Sequence, residues 1–161
     1  MSDYQPAGYH AVTPWIISRD TARLIEFTEE AFGATGLGRV SGPAGGIEHA
    51  EVRIGDSVVM MFDARDGWPE TPAFLRLYVP DCDAACQRAV GAGATLVTPA
   101  TSLYFGERVG RIRDPLGNIW WLQTHVADVD PADLADGPRD QAEAEALRNV
   151  QESLDAVMRA G

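Results

Sequence analysis

The sequence predicts an α+β fold: two βαβββ modules, about residues 10–63 and 73–126, making one domain with a cleft between them and followed by a C-terminal helix. Three observations predict it. The stretch opening at Ile16-Ile17-Ser18-Arg19-Asp20 and closing at Ala31-Phe32-Gly33-Ala34-Thr35 has a counterpart from Leu77-Tyr78-Val79-Pro80-Asp81 to Ala92-Gly93-Ala94-Thr95. The offset is about 60 residues, and a repeat at fixed period marks a duplicated structural unit. Each copy is also followed by strand-like runs joined by tight turns, Gly55-Asp56-Ser57 before Val58 to Phe62 and Gly117-Asn118 before Ile119 to Leu122.

Residues 1–9 read as a loose arm, and a first strand is expected near 10–18. Asp20 or Thr21 can cap a helix in which Leu24, Ile25, Phe27, Ala31 and Phe32 recur at helical spacing, with Gly33 ending it. Strands follow near 37–41, 47–54 and 57–63, and 63–72 is a turn-rich connector. The second copy gives a strand at 73–79, a helix at about 82–92, and strands near 95–98, 108–113 and 118–125. Asp114-Pro115-Leu116-Gly117-Asn118 is a strong turn signal, because Pro sets φ and Gly-Asn tolerates positive φ. Residues 127–138 are acidic and Pro-rich and read as a linker. A helix at about 139–159 carries Leu147, Val150, Leu154, Val157 and Met158 along one side.

Composition narrows the function classes. The 161 residues, 45% hydrophobic, suffice for one core but not for two ordinary domains. A formal net charge of -11 repels phosphate backbones, so nucleic acid is not an expected partner. No apolar run reaches the roughly 20 residues of a membrane helix. Met1-Ser2-Asp3-Tyr4 lacks the regions of a signal peptide, and a cytoplasmic location is expected. Cys82 and Cys86, four apart on one helix face, read as reduced cysteines rather than a disulfide or a zinc site.

Strand parity separates the helix-covered face of each sheet from the cleft face. Ala50, Val52 and Ile54 fall on the helix side, leaving His49, Glu51 and Arg53 toward the cleft. Leu75, Leu77 and Val79 leave Phe74, Arg76 and Tyr78. Gly110 and Ile112 leave Val109, Arg111 and Arg113, and the last strand offers Trp121, Gln123 and His125. Cross-strand ion pairing on a half-wet sheet accounts for such charges without a ligand, whereas their gathering on one concave face suits ligand contact.

Residues Gly8 to Ile17, Glu48 to Ser57 and Arg111 to Trp120 resemble the PhnB-like branch of the vicinal oxygen chelate superfamily, which includes glyoxalase I, bleomycin-resistance proteins and extradiol dioxygenases. The resemblance implies an open curved mixed sheet around a pocket, commonly in a homodimer. Metal-dependent members carry a His, Glu or Gln ligand on the first and fourth strand of each module. By the same resemblance those positions fall at Thr13, Met60, Phe74 and Trp121, none a usual metal ligand. No metal or other cofactor is therefore expected there, and His10, His49, Glu51, Glu107 and His125 are the ligand types left elsewhere.

The leading expectation is a small-molecule protein of the bleomycin-resistance kind that holds an apolar or aromatic compound through Thr13, Trp15, Met60, Phe74, Arg76, Tyr78, Arg111, Trp121 and Gln123. A lyase or isomerase using His49 and Glu51 as acid and base, metal-free or with an unusual metal site, is the second. A structural or interaction module whose pocket is filled by its own side chains is the third.

Overall fold

In a computed structural model, described over residues 4–160, the element order is β1 (Trp15–Ser18), α1 (Thr21–Phe32), β2 (Thr35–Ser41), β3 (Ile47–Ile54), β4 (Ser57–Asp63), β5 (Phe74–Tyr78), α2 (Cys82–Gly91), β6 (Thr95–Leu103), β7 (Glu107–Arg113), β8 (Ile119–His125), α3 (Pro131–Ala135) and α4 (Gln141–Ala160). The βαβββ unit occurs twice. One sheet runs β1-β4-β3-β2 and the other β5-β8-β7-β6, with the first and last strands of each module parallel and all other neighbours antiparallel. Residues 1–3, including most of the segment read for a signal peptide, and Gly161 lie outside the described residues.

Local chemistry builds both copies alike. The Asp20 carboxylate accepts from the Arg23 amide at 2.9 Å and the Asp81 carboxylate from the Ala84 amide at 3.0 Å, each answering a donor left over at a helix start. Gly33 ends α1 at φ 67°, a conformation that an L side chain resists. Helix-side residues Ala50, Val52, Met61, Ile112 and Leu122 are fully buried. They join both helices in one core that spans the two modules. The modules meet on this helix side: Arg23 Nη2 donates to the Ala92 carbonyl at 2.7 Å, and the Phe32 and Trp120 rings lie 4.9 Å apart.

Cys82 and Cys86 are both free and buried on α2. They face Gly110, where a Cβ would meet the Cys86 sulfur at 2.5 Å. Glycine is what lets α2 lie this close to β7.

Several boundaries differ from expectation, each for a local reason. The first strand starts at Trp15, since Thr13 turns its hydroxyl back to the His10 carbonyl at 3.1 Å and Pro14 contributes only its carbonyl, to the Met60 amide. β6 runs on to Leu103 past Pro99 because it is an edge strand whose register shifts between Thr98 and Thr101. Within the supposed linker, Pro131 opens the short helix α3 behind the Asp130 cap.

The largest difference is the place of α4. Val150, with Ala146 and Leu147, packs on Leu103, Phe105 and Val109, which is the face of the second sheet turned away from α2. This helix therefore covers part of the face that parity alone assigned to the cleft.

Candidate functional site

On the outer face of the first sheet, register brings Trp15, Glu51 and Met60 side by side, because Met60 pairs with both of the others. His49 and Phe62 continue the same face. Glu51 accepts from the Tyr9 hydroxyl at 2.5 Å on one oxygen and lies 3.0 Å from His49 Nε2 on the other. The Tyr9 hydrogen bond, and after it that of His49, holds the Glu51 carboxyl below its ordinary range, whereas the same bond to Glu51 raises the Tyr9 phenol.

Rings extend this cluster along the sheet. Trp15 lies 5.6 Å from His49 and 5.3 Å from Phe62, and Phe62 lies 6.2 Å from Trp68 in the connector. The Arg65 guanidinium sits 5.7 Å over the Trp68 ring. Trp15 is 50% and Trp68 43% exposed, unusually open for the largest apolar side chains. Beyond Trp68 opens a cavity of about 560 Å³ between the connector and the turn before β8, lined by Ile17, Arg19, Arg65, Glu70 and Asn118 among others.

The outer face of the second sheet carries a different set. Phe74 and Tyr78 are 53% and 60% exposed. Trp121 lies between two guanidiniums, Arg76 at 5.2 Å and Arg111 at 4.4 Å from its ring centroid. Gln123 is buried and points its amide at the Tyr78 hydroxyl, 3.5 Å away. His125 bridges Glu107 at 2.7 Å and Asp128 at 3.0 Å. Those bonds, Glu107's first, raise the imidazole above its ordinary value. Burial pushes Glu107 up, but hydrogen bonds from Gln123 and His125 outweigh it and leave the carboxyl lowered.

Two expected ligand contacts fall elsewhere. Arg111 is 7% exposed and donates to the Val150 carbonyl at 2.6 Å and to the Thr98 hydroxyl at 3.1 Å, so it anchors α4 instead of rimming an open cleft. Burial and the nearby Arg76 charge lower its pKa. Thr13 precedes β1 and lies off the sheet.

Among the described residues no hydrogen bond, ion pair or ring contact joins the Trp15–His49–Glu51 set to the Phe74–Arg76–Trp121 set. Each module presents its own half.

The metal chemistry of the resemblance does not fit these residues. Met60 has Trp15 as its β1 neighbour and Trp121 has Arg76 on β5, where Thr13 and Phe74 were expected. An indole, a thioether, a second indole and a guanidinium offer no carboxylate, imidazole or thiolate. Among the described residues no three His, Cys, Asp or Glu side chains gather to hold an ion.

Sequence reasoning missed Tyr9, Phe62 and Trp68. Phe62 was readable from the parity of Met60. Tyr9 and Trp68 sit in irregular segments, where no periodicity reports direction.

Comparison with known proteins agrees with this architecture. An uncharacterised protein of Mycobacterium bovis is 38% identical over 130 residues, covering 74% of this chain and 86% of that protein. The crystal structure of TioX from Micromonospora sp. ML1 superposes with a TM-score of 0.62 at 24% identity, covering 73% of this chain and 99% of TioX. TnmS3, an antibiotic binding protein from Streptomyces sp. CB03234, does so with a TM-score of 0.58 at 20% identity, covering 78% of this chain and 99% of TnmS3. The family model for the glyoxalase, bleomycin resistance protein and dioxygenase superfamily matches residues 9–122, and the chain belongs to that superfamily.

Proposed function

We propose that the protein binds a planar, largely apolar small molecule, and that the row His49–Trp15–Phe62–Trp68 is the surface that takes it. The observation that carries this reading is the exposure of Trp15 and Trp68 at either side of Phe62, beside a cavity of about 560 Å³. Half-exposed indoles in series on a sheet face offer stacking area that the fold itself leaves unused. TnmS3, which shares the fold, is an antibiotic binding protein, and this supports a binding role. Phe74, Arg76, Tyr78, Trp121 and Gln123 form the other half of the surface, with Met60 on the floor of the first. In a homodimer, the first module's half of one subunit would face the second module's half of its partner. The PhnB-like placement within the superfamily and a cytoplasmic location belong to the same proposal.

A second reading has its own support. Tyr9, Glu51 and His49 form a hydrogen-bonded chain on the same face, which suits acid–base work by a metal-free lyase or isomerase.

The test is titration of tryptophan fluorescence with a panel of planar aromatic compounds. Saturable quenching is expected, with Trp15→Ala or Trp121→Ala weakening binding by roughly 1–3 kcal/mol through lost buried area. Absence of saturable binding across a broad panel would instead favour a module whose second half is filled by α4.

A further inference from the structure

We infer that His49 offers its Nδ1 atom as a hydrogen-bond acceptor to the bound compound, so that the ligand is a planar aromatic bearing a neutral hydroxyl or N–H donor, a phenol in preference to its ether. This rests on the reading that the first module's face holds the ligand. A carboxylate can only accept. The Tyr9 hydroxyl donates to Glu51 Oε2, and Glu51 Oε1 lies 3.0 Å from His49 Nε2. The hydrogen of that second bond must then come from Nε2. A neutral imidazole has one N–H, which leaves a lone pair on Nδ1.

Among the described residues nothing hydrogen-bonds Nδ1, and the His49 side chain is 35% exposed, so a ligand can reach it. Trp15 adjoins the imidazole at 5.6 Å, and a compound seated on the ring row therefore borders it. The Glu51 carboxylate beside His49 also disfavours an anionic substituent, which points to a neutral donor. Tyr9 acts here as a positioning residue: it holds one oxygen of Glu51 while the other sets the tautomer of His49.

The experiment uses the full chain at about pH 8, above the ordinary histidine range, with two probes that differ in one hydrogen-bond donor, 2-naphthol and 2-methoxynaphthalene. Nitrogen-15 NMR of histidine-labelled protein is expected to show the Nε2–H tautomer at His49. Calorimetry is expected to show 2-naphthol binding about fivefold tighter, the scale of one net neutral hydrogen bond. The preference should vanish in His49→Phe, which keeps a ring beside Trp15. An Nδ1–H tautomer, or equal saturable affinities in the unmutated protein, overturns the inference while ligand binding stands. Saturable binding of neither probe overturns it together with the reading on which it rests.

Discussion

Asp114 shows how a turn residue can become a structural hub. Its carboxylate accepts from the Leu116 and Asn118 amides, each at 2.9 Å, from the Asn118 side chain at 2.8 Å and from the Trp120 indole at 2.9 Å. Trp120 is 2% exposed and contacts Phe32 of the other module, so the turn orients a ring at the module junction. Asp114→Ala leaves buried donors unanswered and should cost more than about 3 kcal/mol in urea unfolding. His125 gives the pH dependence of a surface group. Its pKa is raised by Glu107 and Asp128, so its contribution is fully present below the ordinary value of 6.5 and is lost as pH rises through the raised one. His125→Asn should accordingly lower the melting temperature at about pH 5.5 and converge on the parent by about pH 9. A gap that widens toward alkaline pH would contradict this assignment.

At the scale of elements, two packings decide the molecule. The first is α2 on β7, where Gly110 admits the Cys86 and Cys82 sulfurs; a Cβ there would lie 2.5 Å from the first and 3.3 Å from the second. Gly110→Ala should destabilise by about 1–3 kcal/mol through overpacking. Combination with Cys86→Ala, which removes the nearer sulfur, should recover part of that loss in a denaturation cycle. Strictly additive effects would show that the helix and strand do not compete for this space. The second packing is α4 on the second sheet. Its stripe of Leu147, Val150, Leu154, Val157 and Met158 was readable from helical spacing. What it covers was not, because periodicity names the apolar side of a helix and says nothing about the surface it meets.

For the whole molecule, the pattern of open aromatic rings sets the expectation. Trp15, Trp68, Phe74 and Tyr78 are all more than 40% exposed, and they occur on the outer faces of both modules and in the connector. Apolar area left open on this scale commonly meets a partner or a ligand. A two-fold pairing that sets unlike halves together would cover both faces at once. Light scattering is expected to give about twice the 17.4 kDa chain mass. A mass at the single-chain value over a wide concentration range would sink the dimer and leave each half-site to act alone. Among the described residues no helix is long and apolar enough to cross a membrane.

Local sequence signals alone carried the duplicated βαβββ order, a cap for α1 at Asp20 or Thr21, the turn at Asp114 and the helix-facing side of β3, β5, β7 and β8. All of these depend on neighbours within a few residues or on strict period two, and such signals survive without a structure. His49 and Glu51 were legible as a pair for the same reason, being two apart on one strand. That Tyr9 completes their hydrogen bonding, that Trp68 extends the ring row and that α4 claims Arg111 emerged from the assembled fold alone. The first and the last join segments far apart in the chain, Tyr9 to Glu51 across 42 residues and Arg111 to Val150 across 39, whereas Trp68 lies in the irregular connector just after β4. Such contacts are selected by the packing of the whole core, to which irregular segments and exposed helices contribute no periodic signal of their own.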